Sequence, residues 1–156
     1  ELVVGAVFNP VADECYTAVA GGGAFLNGSP IRTSVVSRLP EALAATGFPT
    51  VVGPGAADLQ LFLKAVRRCQ AVRRTGSCAL NLCYLAAGRF DVTWAHSAKI
   101  WDVAAGVLII REAGGVVTSP DGGVFVLDDA QLLAAANSDL HAELRAMSAK
   151  TDQHKY

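Results

Sequence analysis

The chain opens on an apolar, β-branched run, LVVGAVF at residues 2–8, that stops at Asn9 and Pro10. Such a run bounded by turn residues predicts a strand entering a turn. A second short strand is expected from Cys15 to Val19, ended by Gly21–Gly23. Asn27-Gly28 is then a strong hairpin signal ahead of Pro30 and Ile31, because both central positions of the favoured two-residue turn need a positive φ. The first 35 residues therefore read as antiparallel β hairpins.

The period changes after a Gly/Pro-rich stretch at residues 53–55. From Asp58 to Arg68, Leu59, Leu61, Phe62, Leu63, Ala65 and Val66 recur on helical spacing, which predicts an amphipathic helix. Val72–Arg74 is a short strand candidate. Ser77–Ala87 is a second helix that stops on Gly88, and 90–94 is extended again. The clearest helix opens at Asp102, as its N-cap, and runs to Gly114-Gly115. A strand at Val116–Thr118, a turn at 120–123, a buried strand at Leu132–Ala136 and a helix capped by Ser138 and running to about Met147 complete the pattern. Strands and helices alternate after residue 58, so the fold class is α/β, a layered α+β sandwich. A mixed sheet with helices on both faces follows a set of antiparallel hairpins. The expected division is hairpins over 1–35, the α/β part over 36–148 and a polar tail over 149–156.

Composition narrows the function. Although 52% of the 156 residues are apolar, no apolar run approaches the roughly 18–20 residues of a membrane span. Thirteen Lys and Arg balance fourteen Asp and Glu with no basic stripe, which argues against nucleic acid as a partner. Cys15, Cys69, Cys78 and Cys83 show no CxxC spacing. They read as reduced thiols in a cytoplasmic or other reducing compartment. The start at Glu1 has none of the features of a signal peptide and is not Met, so the N-terminus reads as cut.

Two positions carry candidate chemistry. Asp102 opens a helix after a short loop, where a carboxylate can be held rigidly as a hard oxygen ligand for a divalent cation; the plainer alternative is a simple cap. Gly76, Ser77 and Cys78 open the other helix, whose free N–H groups and positive dipole end suit a phosphate oxygen. Both are helix N-termini in the α/β part, and such termini gather along one sheet edge. Glu112, in the last turn of its helix, reads as an exposed-face residue, Asp13 and Glu14 as hairpin-turn residues, and His96, His141 and His154 as scattered. Lys99 could approach an anion. No serine stands in a nucleophile elbow and no cysteine has an evident base, so covalent catalysis finds little support.

The segment WDVAAGVLIIREAGG at 101–115 resembles the second signature of the inositol monophosphatase family. GAVFNPVADECYTAVAGGGAFLNGSPI at 5–31, RRTGSCALNLCYLAAGRFDVTW at 73–94 and LLAAANSDLHAEL at 132–144 are similar to its central hairpins, its phosphate-side helix and its closing strand and helix. The resemblance covers nearly the whole chain and implies a phosphomonoesterase that uses two or three Mg2+ ions to activate water. It implies Asp102 as a metal ligand, Gly76, Ser77 and Cys78 at the phosphate and substrate end, and Trp101 as a packing residue that aims Asp102.

The resemblance also sets expectations about what differs. The family's Asp-Pro-(Ile/Leu)-Asp-Gly-Thr signature, which supplies most metal ligands, belongs before residue 1, so the chain is expected to be a C-terminal portion with an incomplete metal site. Its hairpin edge should expose apolar surface and aggregate in isolation. Ala95 stands where inositol-processing members place a substrate-holding glutamate, so histidinol phosphate, a sugar phosphate or a nucleotide are alternatives to inositol phosphate, with His96 or Lys99 replacing the lost contact. A non-catalytic phosphate-binding or interaction protein is the reading from another class. A small phosphorylated substrate, no membrane and a homodimer are the partners implied.

Overall fold

In the computed structural model, described for residues 1–49 and 51–149, two sheets and two helical layers alternate. The first sheet has four antiparallel strands in chain order, β1 (Val4–Asn9), β2 (Glu14–Val19), β3 (Gly23–Leu26) and β4 (Ser29–Pro30). The Asn27-Gly28 signal is realised: the two residues take φ of 48° and 80° and close the β3–β4 hairpin. Glu14 lies on β2 rather than in a turn. Its carboxylate accepts both guanidinium N–H groups of Arg89 at 2.6 and 3.0 Å and the Tyr16 hydroxyl at 2.8 Å.

The second sheet has the order β6-β5-β7-β9-β8, built from β5 (Leu43–Thr46), β6 (Ala71–Arg73), β7 (Val92–Ala95), β8 (Val116–Thr118) and β9 (Leu132–Ala135). β5 runs parallel to both β6 and β7, while β9 is antiparallel to β7 and β8. β5 is the central addition to the expected pattern. Its four residues, Leu-Ala-Ala-Thr, carry little β propensity of their own, and burial on both faces of the sheet is what makes them a strand: Ala44 and Ala45 are fully buried, each in a different core.

The helices are α1 (Ala57–Arg68), α2 (Cys78–Ala86), α3 (Ile100–Glu112) and α4 (Ser138–Ala149). One core joins Tyr16 and Ala18 of the first sheet, Leu82, Leu85, Val103 and Val107 of α2 and α3, and Ala45, Leu132 and Ala134 of the second sheet. The other lies on the opposite face, where Val92, Trp94 and Leu133 meet Leu61 and Ala65 of α1 and Leu140 and Leu144 of α4. The layers are thus four-stranded sheet, α2 with α3, five-stranded sheet, and α1 with α4.

Glycine sets the tightest crossing. A Cβ built on Gly106 would stand 2.6 Å from the Cβ of buried Leu82, so α3 lies on α2 at a separation that only a hydrogen side chain allows.

Several local expectations change. Asp102 is not the N-cap of α3: Lys99 holds that position and Asp102 sits in the first turn, its Oδ2 accepting the Lys99 N–H at 3.1 Å. Asn137, not Ser138, caps α4, accepting the Leu140 N–H at 3.0 Å. Glu112 is more than an exposed-face residue. Its carboxylate accepts the Gly21 and Gly23 N–H groups, each at 2.9 Å, which lower its pKa and tie the end of α3 to the β2–β3 turn. Trp101 does not pack; it is 77% exposed. From residue 150 on, the expected polar tail, His154 included, lies outside the described residues.

β1 has β2 as its single partner among the described residues, and Val4 and Phe8 on it, with Val3 just before it, are more than half exposed. No helix among the described residues is long and apolar enough to cross a membrane.

Candidate active site

A cleft of about 350 Å³ opens at the carboxyl ends of the three parallel strands. Parallel strands end at the same sheet edge, so segments distant in sequence are delivered to one place. β5 leads into Gly47, Phe48 and Pro49, β6 leads through Arg74 to Gly76, Ser77 and Cys78, and β7 ends in Ala95 and leads through Ser97 and Ala98 to Asp102; all of these line the cleft. The fourth contribution is Asp58, from the first turn of α1.

Gly76 has φ of 91°, a left-handed conformation that glycine alone adopts at little cost. It turns the chain from β6 into α2. Ser77 is the N-cap of α2, its hydroxyl accepting the Leu80 N–H at 3.2 Å. Preceding it, the Thr75 hydroxyl bonds the side-chain oxygen of buried Asn81 at 2.6 Å, which clamps the turn to the helix it starts. The opening of α2 therefore presents backbone N–H groups and the positive dipole end to the cleft.

Burial pushes the Cys78 thiol up to about 12, with the negative charges of Asp102 and Asp58 adding to the effect. At neutral pH it stays a thiol, which agrees with its reading as a wall residue rather than a nucleophile. All four cysteines are free. The guanidinium of Arg74 lies 5.4 Å from the Phe48 ring centroid, so one wall carries a cation stacked on an aromatic face.

Asp58 has the tightest surroundings. It is 3% exposed; its Oδ1 accepts the His96 N–H at 3.0 Å and lies 2.8 Å from His96 Nδ1, while Oδ2 accepts the Ser97 hydroxyl at 2.8 Å. His96 is thus not a scattered histidine but part of the loop that frames the cleft.

Gly76, Ser77, Cys78, Ala95 and Asp102, expected at the site from sequence, line this one cleft, whereas His96 and Lys99, expected to replace the lost contact, are not among its lining residues. Sequence reasoning missed Asp58, Arg74 and Ser97. An Asp in the first helical turn reads as a dipole partner, and nothing in the local pattern signals that it turns toward residues 96 and 97.

Among the described residues no group of three or more His, Cys, Asp or Glu is placed to hold a metal ion. Asp102 offers one hard oxygen ligand, one of whose oxygens already accepts the Lys99 N–H. These residues do not by themselves enclose Mg2+, which prefers six oxygen ligands.

A cleft at the carboxyl ends of parallel strands, with a helix N-terminus and a carboxylate at its lip, has the position at which layered α/β proteins bind ligands. The sequence model of the inositol monophosphatase family matches residues 1–153, and the chain belongs to this family. It is 40% identical over 151 residues to an inositol-1-monophosphatase of Mesorhizobium japonicum, covering 94% of this chain and 56% of that protein. It is 45% identical over 141 residues to inositol monophosphatase 2 of Solanum lycopersicum, covering 88% and 53%. Among solved structures, the extragenic suppressor protein suhB from Bartonella henselae superposes with a TM-score of 0.89 at 38% identity, over 96% of this chain and 57% of that one. The chain spans about half the length of the curated relatives it matches.

Proposed function

We propose that the protein to which this chain belongs hydrolyses a small phosphomonoester, with a polyol phosphate of the inositol monophosphate kind as the first candidate substrate. In that reaction water attacks phosphorus, the phosphorus–oxygen bond to the alcohol breaks, and the alcohol leaves with a proton. The observation that carries the reading is the convergence of Gly76, Ser77, Cys78, Ala95 and Asp102 on a single cleft in a chain of this family; relatives named inositol monophosphatase support it.

In this reading the opening of α2 holds the phosphate through backbone N–H groups, and Arg74 adds a positive charge to the wall. Asp102 would be one ligand for a divalent cation, Mg2+ in this proposal, and the chemistry such an ion would supply is Lewis-acid activation of water. The described residues supply only this part of a coordination sphere, so no further step is assigned to the cation. Four free thiols support a reducing compartment such as the cytoplasm, and a homodimer is the assembly we expect.

The incomplete ligand set favours one second reading, a phosphate-binding protein without catalysis. The two readings separate in a Mg2+-dependent phosphate-release assay on inositol, histidinol, sugar and nucleotide phosphates. It is run on the full-length gene product that contains residues 1–156 and on its Asp102→Asn variant. Activity lost by at least 100-fold in Asp102→Asn with an unchanged melting temperature supports the enzyme; silence of the parent across the panel, with retained binding of inorganic phosphate, supports the second reading.

A further inference from the structure

We propose that Asp58 is the residue through which the cleft reads the non-phosphate part of its substrate, accepting a hydrogen bond from a hydroxyl of the leaving alcohol. This rests on the phosphomonoesterase reading above and goes beyond it, because it assigns the specificity contact to helix α1, outside every motif by which the site was anticipated.

A carboxylate 3% exposed loses its hydration and is tolerated only when hydrogen bonds replace it. Three contacts do so here: His96 N–H and Nδ1 on Oδ1, and the Ser97 hydroxyl on Oδ2. An ionised carboxylate has about four accepting positions, so one remains uncommitted, and it belongs to Oδ2. Asp58 lines the cleft, so whatever fills the cleft can supply the fourth donor.

The neighbours of Asp58 sharpen the assignment. Ala95 and Ala98 line the same cavity and present only methyl groups, so on this wall the polar side chains are Ser97 and Asp58, which is hydrogen-bonded to it. Asp58 lines the same cleft as Ser77 and Cys78 at the opening of α2, where the phosphate would be held. A phosphate and a hydroxyl of one small molecule can reach both.

A purely structural staple does not need the charge. Asparagine at position 58 could accept from His96 through Oδ1 and donate to the Ser97 hydroxyl through Nδ2, keeping the loop in place. What asparagine cannot keep is the free accepting position on Oδ2, which becomes an N–H donor.

The test compares kcat/KM of the full-length gene product and its Asp58→Asn variant on inositol monophosphate and on 4-nitrophenyl phosphate, whose leaving group carries no other hydroxyl. Removing a charged hydrogen-bond partner predicts a loss 10- to 100-fold greater on the polyol phosphate than on 4-nitrophenyl phosphate. The excess should appear in KM, with a melting temperature within a few degrees of the parent. Equal losses on both substrates, or none on either, overturn the assignment and leave the phosphatase reading intact. A parent that hydrolyses neither overturns both. If Asp58→Asn folds poorly, Ser97→Ala takes its place: it frees a second accepting position on Oδ2 without removing the charge and should shift the ratio of the two kcat/KM values by more than about threefold. An unchanged ratio there refutes the proposal.

Discussion

Gly106→Ala tests how the helix crossing builds the site. In an exposed helix the change would stabilise by about 1 kcal/mol, because alanine loses less backbone entropy. Here the new Cβ would sit 2.6 Å from both Cβ and Cδ1 of Leu82. The Cδ1 contact alone could be relieved by a rotamer change, but the Cβ is fixed to the backbone of α2, so the two helices must separate. Overpacking of this kind costs about 1–3 kcal/mol; less the propensity gain, a net destabilisation of up to roughly 2 kcal/mol is expected, or a fall in Tm of up to about 8 °C for a chain of this size. Gly106 lies one turn after Asp102 and Leu82 one turn after Cys78, so the same separation moves the two lips of the cleft apart, and phosphate release should fall by at least tenfold. Urea and thermal unfolding of the chain measure the first, and a phosphate-release assay on the full-length gene product measures the second. A variant that is more stable than the parent by about 1 kcal/mol, with full activity, would refute the reasoning. Adding Leu82→Gly, which removes that Cβ, should couple: the double variant should lose less stability than the sum of the two single changes.

Three further outcomes follow from the same geometry. Ser77→Ala removes the acceptor for the Leu80 N–H and should cost about 1 kcal/mol in urea unfolding, with a larger effect on phosphate binding than a remote cap such as Asn137→Ala produces. The Arg89 guanidinium, bonded to Glu14, lowers the pKa of that carboxylate, so its stabilisation is complete above the ordinary glutamate range and is lost as pH falls through the lowered native value. Because Arg89 is 44% exposed, the effect is about 1 kcal/mol or less, and the Tm difference between the parent and Glu14→Gln should vanish toward pH 3. Burial raises the thiols of Cys69 to about 11 and of Cys78 and Cys83 to about 12, so iodoacetamide at pH 7.5 should label these three slowly until urea is added. Mass spectrometry of the labelled peptides reads this out, and fast native labelling of Cys78 would contradict its placement.

The hairpins, the four helices and most strands of the second sheet were legible in the residue pattern, because each is dictated locally: Asn27-Gly28 needs two positive φ angles, Gly88 and Gly114 take the positive φ that ends α2 and α3, and the apolar spacing of 58–68 is helical. The family resemblance of residues 101–115 pointed to Asp102, and the Gly-Ser opening of α2 pointed to Gly76–Cys78; these residues line one cleft. What local pattern could not show was β5, a strand of short, weakly β-forming residues that exists because β6 and β7 bond it on both sides and both cores cover it. The parallel pairing of β5 with β6 and β7 is also what brings residues 47, 76 and 97 to one edge, and long-range pairing leaves no mark on a ten-residue window. Asp58 is the sharpest case. Its sequence context marks a favourable first-turn acid, while its role comes from hydrogen bonds made across 38 and 39 positions, which only the assembled layers create.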